Sequence, residues 1–460
     1  MSKILIRDGA VLTGEQGYKE ILTPGYVYVQ GETIAAVGAG EPPERFLNEC
    51  DELISAKGFL VIPGLINAHT HLFQTFLRGL ADDKPLLEWL ACAIWPGALA
   101  MTEEDIYLSA LIGFAENLKC GATSVLSQDY VQVSKRNMDR VADAAHEIGV
   151  RALLARGYAE RDPYNPRFQE SADVVIQETE RLVKTWNQRE DGRIRVEFGP
   201  LIPWGCHAET LRKANELAKE WDVGIHIHVS ETQPEVQMSL DEYGVPPVRW
   251  LHELGVLNER WQLVHCVWVS EEEMDLIASS GATIVHNPIS NMYLASGIPK
   301  VVEWRKRNIP VALATDGPGS NNSQDLLEVL KFTACLQKVA TLDATVLSPE
   351  QVVEMVYQGG ARAMRLSDKI GRLAPGAYAD LVLVNLQRPH ISPVHSPVSA
   401  LVYNANGNDV DTVIVGGKIV VRQGRLLTVN EERLIADCQR AAERMAERAG
   451  FRSWRSQNWF

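Results

Sequence analysis

What this chain lacks narrows its possible functions first. No apolar stretch approaches the roughly 20 residues needed to cross a bilayer, so no membrane helix is predicted. The seven cysteines, Cys50, Cys92, Cys120, Cys206, Cys266, Cys335 and Cys438, are odd in number and contain no C-x-x-C pair. That pattern argues against a disulfide framework and against a structural zinc finger, and it fits the reduced thiols of a cytoplasmic protein. Lys and Arg form no block, and the net charge is −14. Such a surface disfavours nucleic acid, whose phosphates need clustered cations, and suits a neutral or cationic small molecule. Met1-Ser2-Lys3 runs into an alternating strand with no long apolar core, so no secretory leader is expected. Familiar catalytic signatures are also missing: there is no G-x-S-x-G, no H-E-x-x-H and no complete phosphate-binding loop. Gly416-Gly417-Lys418 starts like one, but Ile419 follows where Ser or Thr is required, so a hairpin turn is expected.

What is present is a chain of 460 residues, 46% hydrophobic and 23% charged, ordinary for an enzyme with a sizeable core. Short strand-like runs broken by Asp8-Gly9 and Gln30-Gly31-Glu32 open the sequence, and the same texture returns around Gly416-Gly417 and Gln423-Gly424. These ends predict one small composite β-sandwich domain, built from residues 1–57 and 369–428. Between them, residues 58–368 alternate differently. Apolar strands near 61–67, 122–127, 151–156, 194–200, 223–229, 261–266, 282–286 and 310–315 are separated by helical patterns such as 103–118, 171–186, 208–221 and 271–279. Eight β-then-α units predict a (β/α)₈ TIM barrel of the α/β class. Residues 429–460 predict an amphipathic helix and an aromatic tail, Trp454, Trp459 and Phe460, packed on the body or on a partner copy. A homo-oligomer is the expected assembly.

The barrel reading acquires chemistry from His69-Thr70-His71 at the end of the first strand. Residues i and i+2 share one face of a strand, so both imidazoles emerge side by side. Three further strands end in His228 with Glu231, His265, and Asp316. On a barrel, the C-terminal ends of strands one, five, six and eight converge on one point; an open sheet would not bring them together. His69, His71, His228 and Asp316 offer three nitrogens and a carboxylate, a set that suits one divalent ion, Zn²⁺ or Fe²⁺, with a position left for water. Glu231 is placed to carry a proton to a ring nitrogen of the substrate. Asp316 can act both as ligand and as the base for the water proton, while His265 stabilises the oxygen added to carbon. His226 reads as a core histidine, since a further ligand would overfill the site. His286 reads either as a wall of the site or as a turn histidine. His146, His207, His252, His390 and His395 have no partners in the pattern.

These motifs resemble the amidohydrolase superfamily and, more narrowly, its mononuclear-metal aminohydrolases. The resemblance is carried by Pro63-Gly64-Leu65-Ile66-Asn67-Ala68-His69-Thr70-His71, His228-x-x-Glu231, His265-Cys266, Thr315-Asp316-Gly317 with Ser320-Asn321-Asn322-Ser323, and the stretch from Gly371 to Leu381. It covers essentially the whole chain. The fourth strand offers no lysine for carboxylation, which is similar to the single-metal branch. Two groups compete. His286-Asn287-Pro288 and Ser290-Asn291 are similar to methylthioadenosine/S-adenosylhomocysteine deaminases, but Ala98 and Leu201 stand where those enzymes carry a ribose-binding Glu and a His. The s-triazine hydrolases look similar at Gln74, Trp89, Asn291 to Gly297 and 403–411, although Gly317 replaces their Asn or Asp. The resemblance therefore implies a hydrolytic deaminase of a small aminated heterocycle (aminotriazine, pyrimidine or purine-like base), with Gln74, Trp89, Asn291 and Ser320 on the substrate. A nucleoside deaminase and a triazine chlorohydrolase are the alternatives. A barrel kept only as a binding scaffold is a reading of another class, and the complete ligand set stands against it.

Overall fold

A computed structural model describes residues 2–161, 165–187, 189 and 192–451. In chain order the strands are β1 (Lys3–Leu12), β2 (Ile21–Gln30), β3 (Thr33–Ala39), β4 (Glu52–Ser55), β5 (Phe59–Pro63), β6 (Leu65–Thr70), β7 (Ala122–Asp129), β8 (Arg151–Tyr158) and β9 (Ile194–Pro200). They continue as β10 (Ile225–Val229), β11 (Trp261–His265), β12 (Thr283–His286), β13 (Val311–Leu313), β14 (Leu381–Asn385), β15 (Val410–Val415), β16 (Lys418–Arg422) and β17 (Arg425–Leu426).

Strands β6 to β13 form one parallel sheet in sequence order. Every residue of β6, β7 and β8 is buried, as expected where helices cover one face and a filled barrel the other. First and last strands meet beyond their ladders: Asp316 N–H donates to the His69 carbonyl at 3.1 Å, and Thr315 N–H to Asn67 Oδ1 at 3.2 Å. The sheet is thus a nearly closed barrel, and that seam seats two catalytic candidates. The outer helices begin where local chemistry allows. Thr102 and Asp105 form a reciprocal cap on Glu103–Lys119, and Ser270 with Glu273 caps Glu271–Ser280.

The chain ends build a second sheet of nine strands, ordered β17-β16-β15-β14-β5-β1-β2-β3 with β4 on β1. It is continuous and wraps its own core of Ile6, Val27, Val61, Leu381 and Ile414. The apolar run read as the first barrel strand divides here: Phe59–Pro63 pairs with β14, and the barrel begins at Leu65. Gly64 is the hinge between sheets. A Cβ there would lie 1.9 Å from Thr123 Oγ1, so no larger residue fits. A buried pair, Arg151 Nε to Asp380 Oδ2 at 2.7 Å, ties the barrel floor to this sheet. The C-terminal helix Glu431–Ala449 lies against Glu103–Lys119 through Arg448–Asp105 and Lys119–Glu431 contacts. The tail with Trp454, Trp459 and Phe460 lies outside the described residues. Among the described residues no helix is long and apolar enough to cross a membrane.

Candidate metal centre

At the C-terminal mouth of the barrel the predicted ligands converge. His69 Nε2 and His71 Nε2 each lie 3.4 Å from Asp316 Oδ1, and His71 Nε2 is 3.2 Å from His228 Nε2. The backbone bends sharply to present them. His265 (φ 72°) and Asp316 (φ 62°) occupy the left-handed region that L-residues avoid, as does Ser230 (φ 51°) beside Glu231. Strain of about 1–3 kcal/mol at such positions persists only where the surroundings enforce it.

Tautomers follow from the hydrogen bonds. His71 Nδ1 lies 2.5 Å from the Gln128 carbonyl, and His228 Nδ1 lies 3.0 Å from the Leu201 carbonyl. A carbonyl only accepts, so each Nδ1 carries the proton and each Nε2 an open lone pair. Two lone pairs facing each other at 3.2 Å repel unless a cation lies between them. His69 Nε2 is buried and also has no hydrogen-bond partner. Burial, then the neighbouring His69, pulls the His71 pKa down to about 3, so that ring stays neutral. Burial works against an ionised Asp316, but the His69 ring beside it, followed by His265 and His71, holds its pKa well below the usual range. Ser290 Oγ donates to Asp316 Oδ2 at 2.6 Å, and Gly317 N–H to Oδ1 at 2.6 Å. Three neutral imidazoles and one carboxylate fit a divalent cation.

Glu231 lies outside both groups of clustered donor atoms, while His265 forms one with His69 and Asp316 beside the His69, His71 and His228 group. Glu231 Oε1 accepts from Ser296 Oγ at 3.0 Å, and its Oε2 is 3.5 Å from His265 Nε2. Burial, followed by the charges of Glu235 and Asp316, raises the Glu231 pKa well above that of an ordinary carboxyl. A shift in that direction favours the protonated carboxyl, the form a proton donor needs. Amide nitrogens of Asn291 (3.0 Å) and Asn287 (3.5 Å) approach His265 Nδ1. An amide N–H makes Nδ1 the acceptor, leaving Nε2–H aimed between Glu231 and Asp316, whose Oδ2 is 3.9 Å away. Burial lowers the His265 pKa to about 3, so the ring is a neutral donor.

Above these groups lies a cavity of about 70 Å³. Gln74, Trp89 and Ser320 line it, with Tyr130 and Glu235 as further polar neighbours and an apolar wall that includes Leu86, Trp95, Leu201 and Ile202. Gln74 Nε2 donates to Tyr130 Oη at 3.2 Å, while its Oε1 has no protein partner. Trp89 spends its indole N–H on the Gly319 carbonyl at 3.0 Å. Asn291 does not line the cavity, and its contact with the chemistry runs through His265. His286 does not line it either. It is buried edge-on to Trp304, with neither ring nitrogen hydrogen-bonded to protein. A larger cavity of about 630 Å³, beside β13 and lined by Tyr18, Arg305, Glu354 and Arg372, holds none of the catalytic candidates.

Comparison with known proteins matches residues 60–420 to the amidohydrolase family. The chain belongs to that family. It is 41% identical over 418 residues to the 5-methylthioadenosine/S-adenosylhomocysteine deaminase of Desulforudis audaxviator, covering 91% of this chain and 94% of that one. The enzyme of the same name from Thermoanaerobacter pseudethanolicus is 36% identical over 445 residues, covering 97% and 100%. Among solved structures, an adenosine deaminase from Xanthomonas campestris with bound zinc superimposes with a TM-score of 0.90 at 31% identity, over 97% of this chain and 99% of that one. The zinc complex of atrazine chlorohydrolase from Arthrobacter aurescens TC1 gives 0.89 at 25% identity, over 95% and 100%.

Several groups of this amidohydrolase site escape a reading of sequence alone. The carbonyls of Gln128 and Leu201, which set two tautomers, carry no side-chain signature. Ser290 and Ser296 do so only through the Pro288–Tyr293 helix that brings them back over the site. Glu235 had a signal: Thr232-x-x-Glu235 is a capping-box pattern, and Glu235 does close the cap of the Gln233–Tyr243 helix. His390 sits apart from the site on Asp409 at 2.9 Å.

Proposed function

We propose that this amidohydrolase hydrolytically deaminates a small amino-substituted nitrogen heterocycle, an aminotriazine, aminopyrimidine or purine-like base, releasing ammonia. The observation that carries the reading is the open lone-pair set of His69, His71, His228 and Asp316 facing Glu231 and His265 across a narrow, mostly apolar cavity. A divalent cation there supplies Lewis acidity toward water, lowering its pKa to roughly 7. Zn²⁺ is our preferred ion and Fe²⁺ the alternative; the zinc in two structural relatives supports that order. Asp316 Oδ2 takes the water proton, with Ser290 holding that oxygen. Glu231 delivers a proton to the ring nitrogen beside the attacked carbon, which makes the carbon electrophilic. His265 Nε2–H hydrogen-bonds the oxygen as it adds; Asp316 then passes the water proton to the departing amine, and the proton left on the added hydroxyl restores Glu231 as the carbonyl forms and ammonia leaves. Trp89 offers its ring face to a planar substrate, and Gln74 Oε1 an acceptor to a substrate N–H.

Leu201 and Ile202 on the cavity wall, and the fully buried Ala98, provide no polar group for a ribose, which supports a free base over a nucleoside. A nucleoside substrate is the second reading, favoured by the names of the relatives at 36–41% identity. Chloride as the leaving group is a third reading, supported by the triazine-hydrolase likeness. Ammonia release assayed against melamine, ammeline, guanine and S-adenosylhomocysteine separates the first two, and release from the nucleoside alone reverses our order. We further place the protein in the cytoplasm as a homo-oligomer acting on small molecules, a setting that its seven free cysteines suit.

A further inference from the structure

The metal-facing nitrogen of His69 depends on a side chain one layer deeper in the barrel. His226 and His228 both point inward from β10, two residues apart, and His226 is completely buried beneath the site. Its Nε2 lies 2.7 Å from His69 Nδ1, with the ring planes inclined by 26°. Of the three candidate imidazole ligands, His71 and His228 hand their Nδ1 protons to carbonyls, and only His69 faces another imidazole. Between two imidazoles the proton can sit on either ring, so this contact needs something else to fix its direction.

Gln262 supplies it. On the adjacent strand β11 it stands in register with His226, so its amide is that ring's neighbour across the ladder. Gln262 Nε2 donates to the Ala363 carbonyl at 3.1 Å. That carbonyl can only accept, so the amide is held with its oxygen toward His226. Gln262 Oε1 and His226 Nδ1 are both buried and neither has a hydrogen-bond partner, so each is the complement that the other lacks. Oxygen cannot donate, so of these two atoms only His226 Nδ1 can carry a proton toward the other. The His226 Nε2 is then an acceptor, His69 Nδ1 must donate to it, and His69 Nε2 is left bare toward Asp316. Reversing the chain would put a proton on His69 Nε2 and set an unprotonated His226 Nδ1 against an amide oxygen.

We infer that His226, oriented by Gln262, is a positioning residue that holds His69 in its metal-binding tautomer. Ligand histidines ordinarily gain this support from a carboxylate, a carbonyl or water, and losing it typically costs 10–100-fold in metal affinity. Here a neutral imidazole does the same from inside the barrel. The inference rests on the metal-site reading, and Zn²⁺ binding by the unaltered protein checks that reading separately.

The test measures Zn²⁺ affinity by competition with a chromophoric chelator for the wild type, His226→Leu, His226→Gln and Gln262→Met, alongside thermal unfolding of each metal-free protein. His226→Leu is expected to lose 10–100-fold in Zn²⁺ affinity while its metal-free form still unfolds cooperatively. His226→Gln, which retains an acceptor, is expected to recover most of that loss. Gln262→Met leaves both rings in place and is expected to weaken Zn²⁺ several-fold, so it decides the matter if His226→Leu fails to fold. Affinity unchanged in a folded His226→Leu or in Gln262→Met overturns the inference. Equal losses in His226→Leu and His226→Gln overturn it too, because shape and not the hydrogen bond would then be the cause. If the wild type itself binds no Zn²⁺, the metal-site reading fails and not this one alone.

Discussion

Replacing Glu231 by Gln separates proton transfer from metal binding more cleanly than any other change in this site. The amide is nearly isosteric, and Ser296 Oγ can still donate to the retained oxygen, now at 3.0 Å from Glu231 Oε1. The nearest ring nitrogen, His265 Nε2, is 3.5 Å away, and Glu231 is in neither set of clustered donor atoms. Bound metal should therefore stay at the wild-type level. What disappears is a proton that burial and the charges of Glu235 and Asp316 keep on the carboxyl far above its ordinary range. General acid catalysis contributes about 10²–10⁴-fold, so turnover should fall by that factor, or about 2.7–5.4 kcal/mol at 1.36 kcal/mol per tenfold. The assay pairs metal content by mass spectrometry with kcat and kcat/KM for ammonia release on the best substrate of the panel. The pH profile should lose the limb on which activity falls as Glu231 deprotonates with rising pH. Loss of metal from Glu231→Gln, or turnover within about threefold of wild type, would refute the assigned role even with the fold intact.

Asp316→Asn removes both a charged ligand and the base, so bound metal and activity should fall together in the same two assays. Gln74→Ala should raise KM with a smaller effect on kcat, because Gln74 Oε1 offers binding and no proton transfer. Gly317→Ala should do similar harm from the other side: its Cβ would stand 2.0 Å from Gln74 Oε1, so KM should rise in steady-state assays while metal content stays unchanged. Glu197, inside the barrel on β9, has its pKa raised to about 8 by burial, against the pull of Arg195. Its folded pKa exceeds the unfolded one, so the folded state binds more protons between about pH 4.5 and 8 and stability falls as pH rises through that window. Glu197→Gln should flatten that decline, read as Tm against pH from 5 to 8.

The clustering of these side chains was legible because strand geometry converts spacing into direction. His69 and His71 share a face at i and i+2, and the barrel rule then gathers His228, His265 and Asp316 from distant strands. The same rule hid a boundary. Residues 59–66 are uniformly apolar, and an apolar run cannot reveal that Gly64 hands the chain from one sheet to another. That fact lies in the contact of Gly64 with Thr123, 59 residues on. Asn291 shows a different limit. Its place in a motif predicted substrate contact, yet the short helix Pro288–Tyr293 turns it toward His265.

His226 shows why a core histidine and a site histidine are not opposites. Period-two alternation put it on the inward face with His228, and counting ligands then demoted it to packing. Counting ligands considers only the atoms that touch the ion. A neutral imidazole has two nitrogens, and the one turned away from the ion is buried and needs a partner of its own to fix its proton. For His71 and His228 the partner is a backbone carbonyl, which sequence cannot name. For His69 it is a side chain, His226, and so this one piece of the supporting shell was visible in the order of residues. Inside a filled barrel side chains stack in layers, so the tautomer of a histidine at the mouth is tied to the side chain in the layer beneath it.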